Sequence, residues 1–132
     1  VVEWVRKTRP LDELWLGGFS FGAYVSLRAA NNLSLGQLIS IAPPVDRHEF
    51  STLSRPAFPW LVVQGDEDDV VPVEAVRAWA ARTVPSPNLV VMNQAGHFFH
   101  RRLMDLRGLL KNHVRQRLGD LPAKSGKAPA EK

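Results

Sequence analysis

Four short apolar runs constrain this chain more than any other feature of it. Leu14-Trp15-Leu16, Gln37–Ala42, Trp60–Gln64 and Leu89–Met92 are each apolar enough to be buried, without the in-out alternation of a half-exposed strand. Strands of that kind are buried on both faces, as in a parallel sheet with helices above and below. The segments between them read as helices. Ala23 to Ala30 is one, ended by Asn31-Asn32, and Pro72 to about Thr83 is another, with Val73, Val76, Trp79 and Ala80 on one face. Phe98 to Leu118 is a long third helix, striped by Leu103, Leu106, Leu110, Val114 and Leu118 and closed by Gly119. Residues 43–59 hold four prolines and read as a loop with room for a short helix. The expected class is α/β, a parallel sheet with helices on both faces and right-handed crossovers.

Composition narrows the functions open to such a sheet. The 132 residues are 45% hydrophobic and 23% charged, enough for a core, and fit one domain over residues 1–120 with a disordered basic tail over 121–132. No apolar run approaches the roughly 18 residues of a membrane span. Cysteine is absent, which excludes disulfides, thiolate metal sites and a cysteine nucleophile. The net charge of +4 is unevenly spread: nine Lys/Arg face three acids from Arg101 onward, against eight facing ten before it. The excess belongs to one helix face and the tail, without the interleaved aromatics of a nucleic-acid site, so no nucleic-acid partner is expected. The chain opens with Val1, Val2, Trp4 and Val5 before Lys7-Thr8-Arg9-Pro10, the pattern of the last turns of an amphipathic helix. It is therefore read as a piece of a longer chain, with a cytoplasmic location as the default.

The chemistry concentrates in three loops. Gly18-Phe19-Ser20-Phe21-Gly22 is a G-x-S-x-G between a strand and a helix. Small residues two positions either side let a strained turn present Ser20 Oγ at a helix N-terminus, where developing negative charge is favoured. A serine hydroxyl needs a base, and the base an orienting acid. The third strand runs into Gly65-Asp66-Glu67-Asp68-Asp69, and the fourth into Gln94-Ala95-Gly96-His97. Both loops leave the C-terminal ends of strands, where open α/β sheets carry their sites. The order is serine, acid, histidine, and Asp66, Asp68 and Asp69 are all candidates for the acid.

These segments together resemble the C-terminal half of an α/β-hydrolase. The elbow at Ser20, the stretch Gly65-x-x-Asp68-x-x-Val71-Pro72 and Gly96-His97-Phe98-Phe99 carry the likeness in the right order. With Ala42-Pro43-Pro44-Val45-Asp46 and His97-Phe98-Phe99-His100 it is similar to the small, nearly lidless bacterial members. The resemblance implies a serine hydrolase of the esterase type with catalytic Ser20, His97 and Asp68, acting on a small acyl substrate without cofactor or metal, and the sequence does not separate ester from thioester, amide or peptide bonds. It assigns the Phe21 N–H to the oxyanion. It also implies a second oxyanion donor and further strands upstream, for which the 19 residues before Ser20 leave no room. The expectation is thus a partial hydrolase fold lacking its N-terminal strands, open to self-association through an exposed sheet edge. The alternative is a non-catalytic domain of the same fold that binds or scaffolds.

Other residues carry plainer readings. His97 and His100, three apart, are short of a third metal ligand, and the four-acid loop lacks the glycine and glutamate of a calcium loop. His48 and His113 read as surface residues, and Trp60 and Trp79 as packing. Phe21, Phe98 and Phe99 line an acyl pocket or belong to the core, and the sequence does not separate the two.

Overall fold

In the computed structural model, residues 1–31, 33–47, 49–50 and 58–119 are described. The elements run α1 (Val2–Thr8), β1 (Trp15–Phe19), α2 (Phe21–Ala30), β2 (Gln37–Ile41), β3 (Trp60–Gly65), α3 (Val73–Arg82), β4 (Asn88–Met92) and α4 (Leu103–Gly119). All four strands pair in parallel, in the order β1-β2-β3-β4. This is a partial α/β fold, and its strands all deliver their following loops to one edge of the sheet. Every residue of β3 is buried, as a strand covered on both faces requires. No helix among the described residues is long and apolar enough to cross a membrane.

The chain forms two compact units, one of Val1–His100 and one beginning at Arg101. The first holds the sheet, α1, α2 and α3. Alternation along β2 and β3 sends Leu38, Trp60 and Val62 to one face, where they meet Leu27 and Ala30 of α2 and Val76, Trp79 and Ala80 of α3 in one cluster. Trp60 and Trp79 are packing residues. Their rings meet edge-on at 5.3 Å, Phe50 meets Trp79 at 5.6 Å, and Trp60 Nε1 donates to the buried Ser40 Oγ at 2.9 Å. Pro72 caps α3 from outside in extended conformation (φ −63°, ψ 132°) instead of occupying its first turn.

The second unit consists of α4, which starts at Leu103, the first residue of the apolar stripe, five residues later than the expected helix start at Phe98. Phe99 and Arg101 take φ of 54° and 64°, values no helix interior accepts, and Phe99 N–H closes a turn onto Gly96 O at 3.1 Å. Helical bonding begins with Leu106 N–H to Arg102 O at 2.9 Å, beside an Arg102–Asp105 ion pair of 2.7 Å. Within α4, Leu106, Leu110 and Val114 are half-buried, while Leu103 and Leu118 are exposed. His113 is half-buried, not a surface residue. Burial and the nearby Arg117 charge both push its imidazole below the usual histidine value. His48 and the basic tail over 121–132 lie outside the described residues.

The tryptophan contact anchors α3 to the sheet. Trp79→Ala is expected to lower the unfolding free energy by about 3–5 kcal/mol, the range for deleting a large buried ring. Urea denaturation followed by circular dichroism measures it.

Candidate functional site

Ser20 sits between β1 and α2 at φ 55° and ψ −121°, a conformation L-residues rarely adopt. Its N–H donates to Ile41 O at 2.8 Å and its carbonyl accepts from Ala23 N–H at 2.9 Å, which ties the turn to β2 behind it and to α2 ahead. Strain of this kind costs on the order of 1–3 kcal/mol and persists only where surrounding bonds impose it. Of the two elbow glycines, only Gly18 is sterically required. A Cβ there would lie 2.1 Å from Gly22 O, while one at Gly22 would meet nothing within 4 Å. The spacing suggested a need on both sides. The helix turns Gly22 outward and removes it on one.

The acid loop and the histidine loop are laced together. Asp66 N–H donates to Met92 O and Glu67 N–H to Ala95 O, both at 3.0 Å, and Asp66 Oδ1 accepts from Gln94 N–H at 2.7 Å. Gln94 holds φ 55°, so Asp66 secures a strained turn. The loops approach so closely that a Cβ on Gly65 would lie 2.2 Å from Ala95 O.

This lacing brings Asp68 and His97 together. His97 Nδ1 lies 2.9 Å from Asp68 Oδ2, and His97 Nε2 lies 3.0 Å from Ser20 Oγ. The Asp68 side chain is wholly buried and that of His97 is 5% exposed. Asp68 Oδ1 accepts from Val70 N–H at 2.8 Å and Val71 N–H at 2.7 Å, and Oδ2 also accepts from Gln64 Nε2 at 3.0 Å. Burial by itself pushes the Asp68 carboxyl up. The donors Val71, His97, Val70 and Gln64 outweigh it and hold the group below its ordinary value. An ionised Asp68 only accepts, so Nδ1 carries the proton and Nε2 is left to accept from the Ser20 hydroxyl. A hydroxyl on an unprotonated imidazole nitrogen is poised to lose its proton to that nitrogen.

Among the three candidate acids, the structure brings Asp68 to His97. Asp66 is engaged with Gln94 N–H, and Asp69 is exposed. Phe21 opens α2 directly after Ser20, which puts its N–H at a helix N-terminus beside Oγ. The three phenylalanines separate: Phe99 is buried in the core, while Phe21 and Phe98 are exposed, 59% and 68%. Phe98 meets the His97 ring edge-on at 5.0 Å, and Phe19, which sequence reasoning passed over, lies 5.1 Å from it. His100 is exposed in a turn before α4. No cluster of three potential metal ligands occurs among the described residues. Gln64 was also missed, although a glutamine ending an apolar run is a visible signal.

No protein-family model matches the chain. It is 55% identical to an α/β serine hydrolase without a lid from Xanthomonas campestris, with a TM-score of 0.83 over 92% of this chain and 54% of that one. It is 48% identical to an α/β serine hydrolase homologue from Coxiella burnetii, with a TM-score of 0.80 over 86% of this chain and 54% of the other. An uncharacterized protein of Rickettsia prowazekii is 23% identical over 123 residues, 86% of this chain and 52% of its own. The chain thus spans about half the length of these relatives.

Two outcomes follow from the geometry. Gly65→Ala forces the laced loops apart and is expected to cost about 1–3 kcal/mol, the range for an overpacked site, measured by urea denaturation. The depressed Asp68 carboxyl stabilises the fold above its ordinary value of 3.8, and that contribution is lost as pH falls through the depressed value. The stability advantage of the native chain over Asp68→Asn should accordingly shrink as pH drops below about 4. An advantage constant from neutral pH into that range would contradict the assignment.

Proposed function

The chain belongs to the α/β-hydrolase superfamily, and on that premise we propose that it carries the acyl-transfer site of a serine hydrolase acting on esters of small acyl groups. The observation that carries the reading is the unbroken chain of contacts from Ser20 Oγ through both nitrogens of His97 to Asp68 Oδ2, at 3.0 and 2.9 Å. In this reading Ser20 Oγ attacks the ester carbonyl carbon as its proton passes to His97 Nε2. The Phe21 N–H, at the N-terminus of α2, donates to the carbonyl oxygen as it gains negative charge. Collapse breaks the bond to the alcohol oxygen, which leaves with the proton from Nε2, and the acyl group stays on Ser20. A water then repeats the sequence, giving its proton to Nε2 and releasing the acid and the free serine. Asp68 remains ionised throughout and stabilises the imidazolium. Four hydrogen-bond donors on a buried carboxylate support that role. No step calls for a cofactor.

The order of the sheet adds a second element to the proposal. β1 pairs with β2 on one side, and Phe19 at its end is 40% exposed. An edge of this kind supports self-association of the chain at high concentration.

A fluorophosphonate probe tests the reading directly by intact mass. One adduct is expected on the native chain and none on Ser20→Ala, with circular dichroism confirming that both are folded. Asp68→Asn should slow labelling by as much as about 10⁴-fold, the loss seen where the orienting acid is replaced by its amide. A folded native chain that takes no label would overturn the proposal and favour a non-catalytic domain of this fold.

A further inference from the structure

Trp60, Leu61, Val62 and Val63 of β3 are buried and apolar, and the next residue, Gln64, is buried just as completely. Its Nε2 lies within hydrogen-bond reach of three groups: Gly65 O at 3.1 Å, Val71 O at 3.1 Å and Asp68 Oδ2 at 3.0 Å. All three are acceptors, so only the nitrogen end of the amide can face them, which fixes the orientation of the side chain. The opposite atom, Oε1, is buried with no hydrogen-bond partner among the described residues. For packing alone the amide is a poor choice, because a leucine or methionine would fill the same space without an orphaned oxygen. What the amide supplies, and an apolar residue cannot, is a donor to the carboxylate.

We propose that Gln64 is a positioning residue for the acid–base pair, its Nε2 fixing the same Asp68 oxygen that accepts from His97 Nδ1. The inference rests on the hydrolase reading above. A carboxylate offers about four lone-pair sites, and Asp68 meets four donors: the Val70 and Val71 N–H groups on Oδ1, and Gln64 and His97 on Oδ2. The two backbone donors hold one oxygen. Gln64 holds the other, so the carboxylate does not pivot about Oδ1 when the imidazole tilts toward Ser20. The donation also draws charge from Oδ2, which tempers its pull on the Nδ1 proton and keeps that proton on the ring.

Gln64→Met keeps the length of the side chain and removes the donor. Three readouts are compared with the native chain: melting temperature, the proton resonance of His97 Nδ1–H, and the rate of fluorophosphonate labelling at pH 7. The expected result is loss or displacement of the Nδ1–H resonance and labelling about tenfold slower, as for outer partners of metal ligands, together with a lowered melting temperature because the buried carboxylate loses one of its four donors. A native resonance with a native rate overturns the proposal. So does a lower melting temperature with the resonance unmoved, which would mark a structural role alone. Should Gln64→Met fail to fold, the native chain decides. A nuclear Overhauser contact between a Gln64 Nε2 proton and the His97 Nδ1 proton supports the shared oxygen, and its absence with both resonances visible refutes it. A native chain that takes no label while its Nδ1–H resonance responds to Gln64→Met counts against hydrolysis and not against positioning.

Discussion

The buried carboxylate of Asp68 is the interaction on which the rest of the site depends. An ionised group with no exposed side-chain surface is tolerated only when its oxygens are occupied, and here four donors occupy them. Two of those donors are backbone N–H groups of the same loop, which therefore wraps around the carboxylate. A third comes from the end of β3. The fourth is His97, from the loop after β4, and it is the one that turns a structural solution into a chemical arrangement. The loop that satisfies the charge is also the loop that orients the imidazole.

That arrangement is possible because parallel strands end together. β1, β3 and β4 deliver Ser20, Asp68 and His97 to one edge of the sheet, from positions as far as 77 residues apart in sequence. Close approach is then a matter of backbone. Gly65 lets the two laced loops touch, and Gly18 lets the elbow fold back against the start of α2. Each lacks a Cβ that would push the neighbouring backbone away.

Most of the scaffold was legible in the chain because its signals are local. Continuous apolar runs mark strands covered on both faces, and the periodicity of Val73, Val76, Trp79 and Ala80 marks α3. The long C-terminal helix was read too early because periodicity reports which residues are apolar and not which backbone angles they take. Phe98 and Phe99 are apolar and adjoin the stripe, yet Phe99 packs into the core from a left-handed turn. In the same way, Phe21, Phe98 and Phe99 look alike in sequence and separate only when burial is known.

The sequence by itself determined the parallel α/β class, the elbow at Ser20 and the loops that carry the acid and the histidine, since each is written in contiguous residues. Among Asp66, Asp68 and Asp69, spacing left the partner of His97 open and the family resemblance pointed to Asp68; tertiary structure supplied the contacts themselves, which sequence spacing does not encode. Asp68 meets His97 across 29 residues, while Asp66, two positions earlier, is drawn to Gln94 N–H. Gln64 belongs to the same class. Its role follows from lying beside Asp68 Oδ2, and a distance of 3.0 Å between side chains of different elements exists only once the chain has folded.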